Sequence, residues 1–185
     1  MSSVFQNLSF ENWSGGNLTN WVLSYSAGDS GSWEADPAMA QDGANALKLS
    51  VYGYDSHAKA AQTIAAMPYR NRAIIVTCRS YGSYVHPSFY NELRITVDGT
   101  GGGADAESST QSLAWVTLSV GYVIPSDATS LAIGVYRWSN SAGWAYGWFD
   151  QVIIYGLELL SAAPPPSLAG ARGIIRKWPY GLVSQ

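Results

Sequence analysis

Apolar side chains in this chain recur at every second position, and that period constrains the fold more than any other feature. Leu47, Leu49 and Val51 alternate with Lys48, Ser50 and Tyr52. Leu93, Ile95 and Val97 alternate with Glu92, Arg94 and Thr96, and Val116, Leu118 and Val120 with Thr117 and Ser119. The pattern repeats at Leu131, Ile133 and Val135, with Tyr136 and Trp138 at the intervening parity, and again around Val152 and Ile154. Successive side chains of a strand point to opposite faces, so each run is an extended segment with one buried face. Gly, Asn, Asp, Ser and Pro bound the runs, as turn chemistry requires. Weaker segments lie at 8–11, 21–26 and 58–66, where the Ala-rich stretch fits a strand but also admits a helix. On the order of eight to ten such strands predict an all-β jelly-roll sandwich of two antiparallel sheets.

Composition excludes several functions. Only 12% of the 185 residues are charged, against about 25% in an average soluble domain. Aromatic residues make up 13%, enough apolar surface to oppose the entropy of ordering the chain. The net charge of −3, with basic residues scattered, argues against nucleic acid as a partner. No stretch approaches the roughly 18 apolar residues of a membrane span. The opening Met1-Ser-Ser-Val-Phe lacks the basic and apolar regions of a secretory signal. Cys78, the single cysteine, alternates with Ile74 and Val76 and reads as a buried small side chain. Asp98-Gly-Thr-Gly-Gly-Gly-Ala-Asp reads as a flexible surface connection; it lacks the Lys-Ser/Thr ending of a phosphate loop.

The character changes near residue 160. Residues 1–160 form the sandwich, and residues 161–185 begin with a Pro-rich spacer and continue as an aromatic and basic arm. Ile174, Ile175, Arg176, Trp178 and Tyr180 are unlike a disordered tail. They suit either a strap on the same domain or an arm that docks on another subunit.

No catalytic constellation can be assembled. His57 and His86 lack metal-ligand spacing. Asp55-Ser56-His57 are sequence neighbours that read as a surface turn rather than a triad. Glu92 is the best strand-borne acid, but Arg94 beside it points to an ion pair, and Glu34, Asp36, Asp105 and Glu107 sit in loop-like contexts. A binding face is easier to build. Tyr52, Arg79, Glu92, Arg94, Tyr136 and Trp138 take the outward parity, and the loop from Ser139 to Gly147 adds Trp144 and Tyr146. A further cluster, Tyr81, Tyr84 and Tyr90, borders a Gly-Ser turn, while Trp13, Trp21, Trp33 and Trp115 are candidates for the core. Flat rings beside polar side chains suit sugars, and the same residue types anchor protein interfaces.

Four pieces of the chain resemble carbohydrate-binding modules of the family 4, 9, 16 and 22 type. They are Asn7-Leu-Ser-Phe-Glu11 followed by Trp21, Asp42-Gly-Ala-Asn-Ala-Leu-Lys-Leu, Leu113-Ala-Trp-Val-Thr-Leu-Ser-Val-Gly-Tyr-Val-Ile-Pro125, and Trp148-Phe-Asp-Gln-Val-Ile-Ile. The resemblance covers about residues 5–157 and leaves the arm without a counterpart. It implies a galactose-binding-like jelly roll and one structural Ca2+ held by Glu11 and Asp150. Gln151 replaces a second acid of the family's closing motif.

Two functional expectations follow, neither catalytic. The first is a surface or adhesion protein, such as a virion decoration, tail-associated or filament subunit, assembling with other subunits or itself through the arm. It would act at a virion or extracellular surface. The second is a carbohydrate-binding module, free-standing or part of a larger protein, that holds polysaccharide on its surface aromatics.

Overall fold

The computed structural model describes residues 5–26, 30–83, 89–99 and 102–158. Ten strands follow in chain order: β1 (Trp13–Ser14), β2 (Asn17–Leu18), β3 (Val22–Tyr25), β4 (Ser30–Asp36), β5 (Ala46–Ala65), β6 (Arg72–Gly82), β7 (Phe89–Gly99), β8 (Gly102–Thr110), β9 (Val116–Val123) and β10 (Ala128–Glu158). Two short 3-10 turns, Pro37–Met39 and Met67–Tyr69, supply the helical content of the described residues. None of their helices is long and apolar enough to cross a membrane.

β5 and β10 organise everything else, because each belongs to two layers. Residues 56–65 of β5 pair with 130–139 of β10, while 47–53 pair with 141–149. The first halves of this partnership carry β3 on the β5 side and β7 on the β10 side, with β8 beyond β7. The second carry β4 beside β5, and β6 beside β10 with β9 beyond it. All these pairings are antiparallel. The crossing is made by irregular backbone: the β5–β10 register shifts between Ser139 and Trp144. Positive φ at Gly53 (142°), Asp55 (55°) and Gly143 (136°) accompanies the bend. Bulges of this kind bend a strand and let it pass from one sheet to another at a sandwich corner.

The jelly-roll expectation therefore holds, and so does the strand reading of 58–66. One core lies between the layers, with Leu47, Leu49, Val51, Ile74 and Val76 from one and Leu93, Ile95, Val97, Leu131 and Val135 from the other. Phe10, Leu18 and Trp21 close one flank, with Phe10 and Trp21 rings 5.0 Å apart. Cys78 is fully buried as expected, and burial pushes its thiol far up, which suppresses the reactive thiolate.

Several local expectations are corrected. Residues 8–11 form a turn rather than a strand. Ser139 to Gly147 is not a loop but the bent middle of β10. Glu34 and Asp36 lie on β4, and Asp105 and Glu107 on β8, which continues the glycine-rich stretch as the second arm of a hairpin with β7. Trp21 joins the core, whereas Trp13 and Trp33 pack on it only partly, and Trp115 lies against Tyr81 with ring centroids 5.8 Å apart. Tyr84, His86 and the arm with Ile174, Ile175, Arg176, Trp178 and Tyr180 lie outside the described residues.

Candidate functional site

From Leu131 to Phe149 the odd-numbered positions of β10 face the core on both layers, and its even-numbered rings there face outward on both. The change of layer then separates residues that sequence parity had grouped on one face. Tyr136 and Trp138 lie on the β7 layer, beside Glu92 and Arg94. Tyr52, Arg79, Trp144 and Tyr146 lie on the β6 layer, on the opposite side of the core. The Tyr81–Tyr90 grouping is split in the same way, since Tyr81 is on β6 and Tyr90 on β7.

On the β7 layer, three rings are nearly parallel across two strands. Tyr90 and Trp138, directly paired between β7 and β10, have centroids 5.8 Å apart at 14°. Tyr136 follows Trp138 at 6.2 Å and 12°. His57, paired with Trp138 from the β5 side, sits 4.4 Å from its ring. Its position on a pleated strand, with Ser26 Oγ 3.1 Å from Nδ1, corrects the reading of a surface turn. Gly134 permits the arrangement: a Cβ there would sit 2.8 Å from Tyr136 Cε2, so the tyrosine lies back over the glycine. Tyr136 and Glu92 consequently occupy outward positions yet are buried.

Charge lines one side of this stack. Arg94 Nε donates to Glu92 Oε1 at 2.6 Å, confirming the expected ion pair, and Nη2 donates to Glu107 Oε2 at 2.9 Å. Asp105 Oδ2 lies 3.7 Å from Nη1. The guanidinium stands 5.1 Å from the Tyr136 ring centroid, and Lys59 Nζ 5.8 Å from the same ring. Burial acts to lower the Arg94 pKa, but the Glu92 hydrogen bond and charge outweigh it and raise it. Burial raises the pKa of Glu92 against the opposing effect of Arg94, and raises those of Tyr90 and Tyr136 as well. Trp138 Nε1 is buried and acts on the Glu92 carboxylate as a hydrogen-bond donor, lowering its pKa without cancelling the effect of burial. Beside Tyr90 the surface dips into a depression lined by Ser109, Thr110 and Gln111.

The Glu92 shift has a measurable sign. Its folded pKa is raised, so the folded state binds its proton more tightly than the unfolded state. Its contribution to stability therefore falls as pH rises between the ordinary value and the folded one. Acidification should protonate Glu92 beside Trp138, and Trp emission should titrate with a midpoint above the ordinary carboxylate range. Glu92→Gln should remove that transition; a transition that persists in the variant assigns it elsewhere.

Glu11 and Asp150 hold the loop after β4 from two sides. Glu11 Oε1 accepts from the Ala44 and Asn45 N–H groups at 3.0 and 3.2 Å, and Oε2 from Asn45 Nδ2 at 3.3 Å. Asp150 Oδ2 accepts from Gln41 and Asp42 N–H at 2.6 and 2.9 Å, and Oδ1 from Gln151 N–H at 2.7 Å. Calcium requires converging oxygens, whereas the groups converging here are N–H donors. No group of three or more His, Cys, Asp or Glu suited to a metal occurs among the described residues. As arranged, this donor set does not fit a calcium ion.

Sequence reasoning passed over Trp148 and underused His57 and Tyr90. Trp148 continues the parity of Trp144 and Tyr146, a signal that was present; the pairing of His57 with Trp138 depends on register.

The two-layer jelly roll is a fold shared with solved carbohydrate-binding modules. No family model matches the chain, and no curated protein matches it. Among solved structures, a member of the β-sandwich superfamily of carbohydrate-binding modules is similar at TM-score 0.59 and 13% identity, over 76% of this chain and 58% of that one. A family 61 carbohydrate-binding module in complex with β-1,4-galactotriose is similar at TM-score 0.58 and 16% identity, over 84% of this chain and 99% of that one. The enzymatically active domain of tailspike protein 4 from bacteriophage CBA120 is similar at TM-score 0.60 and 17% identity, over 84% of this chain but 21% of that one. At these identities the likeness is one of fold.

Proposed function

We propose that the chain is a non-catalytic carbohydrate-binding module that holds neutral polysaccharide on the outer face of the β7 layer. The observation that carries this reading is the near-parallel Tyr90–Trp138–Tyr136 stack beside an acid-rich rim. Tyr90 and Trp138 are half-buried and present part of their ring surface to the C–H face of a pyranose, with the buried Tyr136 packed against Trp138. The rim is selective because the three Arg94 nitrogens already face Glu92, Asp105 and Glu107. What the half-exposed Asp105 and Glu107 present to solvent is acceptor capacity. A ligand's hydroxyl donors are received there, and an anionic ligand meets a net negative rim, three acids against Arg94 and Lys59. The jelly-roll fold shared with carbohydrate-binding modules supports the reading. The likeness to a phage tailspike domain supports placing such a module at a virion or other extracellular surface.

Titration with soluble neutral galactan, xylan and β-glucan, followed by Trp fluorescence and calorimetry, should give binding to at least one. Polygalacturonate should bind at least about tenfold more weakly than the best neutral chain, as like-charge opposition predicts. Equal affinity for the acidic polymer would remove the role given to the rim, and failure of every neutral polymer would remove the function.

A further inference from the structure

The β6 layer carries a second, longer set of rings on its outer face. Tyr52 and Trp144 are paired across β5 and β10, with centroids 5.5 Å apart. Trp144 and Tyr146 follow at 6.3 Å and 3°, and Trp148 lies 6.4 Å beyond Tyr146. Tyr81 meets Trp148 edge-on at 5.6 Å, and Trp115 meets Tyr81 at 5.8 Å. The set crosses from β5 through β10 and β6 to the start of β9. Unlike the first face, it is open: Trp144 is 48% and Tyr52 45% exposed.

Each of its ionic side chains has a partner, and two acids, Glu34 and Asp36, balance two bases, Lys48 and Arg79. Lys48 Nζ contacts Glu34 Oε1 at 2.6 Å and stands 5.1 Å from the Tyr146 ring centroid. Asp36 Oδ2 accepts from Trp148 Nε1 at 2.8 Å, and Arg79 donates to Thr117 Oγ1 at 3.2 Å. One acid and one base neutralise each other at the centre of the ladder, so no unbalanced charge there calls for a charged partner. Ring faces and hydroxyls complement a neutral polyhydroxyl chain, the same ligand chemistry as the first face.

We propose that the outer face of the β6 layer is a second polysaccharide-binding platform, and that the protein bridges two sugar chains. The inference rests on the function proposed above and adds a geometric consequence. Because β10 crosses between layers, Trp138 and Trp144 project to opposite sides of the core. One straight chain does not run over both, whereas two chains do, one on each side. Bridging then raises avidity on a polysaccharide network without any new contact.

The experiment uses the full chain with soluble galactan, xylan and β-glucan of high molecular mass, read by light scattering and by calorimetric stoichiometry on short oligomers of the same polymers. Wild type should cross-link a bound polymer and take up oligomer at twice the stoichiometry of a one-face variant. Trp144→Ala, at an exposed position, should halve the stoichiometry and abolish cross-linking while retaining first-face affinity within about twofold. Tyr52→Ala supplies a second lesion on the same platform, and a circular-dichroism melt checks that both variants fold. Binding at one site without cross-linking, unchanged by Trp144→Ala and lost in Trp138→Ala, would overturn the second platform and leave the first intact. The converse pattern, one site lost only in Trp144→Ala, would overturn bridging and relocate the function. Absence of binding to every polymer would overturn both proposals.

Discussion

Trp138→Ala should weaken binding of neutral oligosaccharide at the β7 layer by about 30- to 100-fold, or about 2 to 2.7 kcal/mol, as expected for a central aromatic anchor. Three contacts meet at this indole. It is nearly parallel to Tyr90 and to Tyr136, and the His57 ring lies 4.4 Å from it at 40°. Truncation removes the middle of the platform and leaves Tyr90 and Tyr136 without the ring that joins them. Trp138 sits outside the core, so the loss of fold stability should reflect only its ring contacts, each about 0.5–1.5 kcal/mol. Trp138→Phe separates platform from donor: it keeps an aromatic face and deletes the Nε1–H. The Nε1–H acts on Glu92, lowering its pKa as a hydrogen bond does, so Phe should cost the fold that one contact. Calorimetry against the best-binding neutral oligosaccharide checks the series. An Ala variant that folds and keeps wild-type affinity would dismiss the stack as the binding surface.

The sandwich was legible because its core-facing positions keep strict parity: Leu93, Ile95 and Val97, or Leu131, Ile133 and Val135, leave no other extended arrangement. β8 was not legible. Among the described residues it pairs with β7 at an edge. Its inward positions carry only small side chains, Ala106 packing on the core between the exposed Asp105 and Glu107, so no large apolar residue marks the alternation. The middle of β10 was misread for a related reason. Ser, Asn and Gly near 139–143 are turn residues by composition, and here they serve a bend within a continuous strand. That bend also explains the divided site. Parity specifies whether a side chain faces in or out, but not which layer it faces out from, and Trp138 and Trp144 share parity while lying on different layers. The Glu92–Arg94 pair was readable from its spacing, whereas the burial of Glu92 arises from neighbours on β8 and β10 that the local sequence does not contain.

Gly147→Ala should destabilise the fold by about 3 kcal/mol or more, combining overpacking with damage to a buried hydrogen-bond network. Gly147 lies on β10 between Ala145 and Phe149, with its missing side chain aimed into the core. A Cβ there would sit 2.2 Å from Asn91 Oδ1 and 2.9 Å from Arg137 Cδ. Neither neighbour moves freely. Asn91 Nδ2 donates to Ser80 Oγ at 2.8 Å and to the Tyr81 carbonyl at 2.9 Å, while Oδ1 accepts from Arg137 Nη1 at 3.0 Å. Arg137 is fully buried, and burial lowers its pKa to about 10, which leaves it charged at neutral pH. Its Nε and Nη2 are unpaired, and the hydrogen bond it makes among the described residues is the one to Asn91. Displacing Asn91 would strand a buried cation, a costly outcome in a medium of low polarity. Chemical denaturation should record the loss, and thermal melting should show a fall of roughly 6–12 °C for a chain of this size. Asn91→Ala, which also breaks the network, distinguishes the cause. In the double variant the added methyl no longer meets Oδ1, so the two losses should sum to less than their separate values by about 1 kcal/mol or more. Strict additivity would mean that Gly147 acts through its backbone and not through the space it leaves for Asn91 and Arg137.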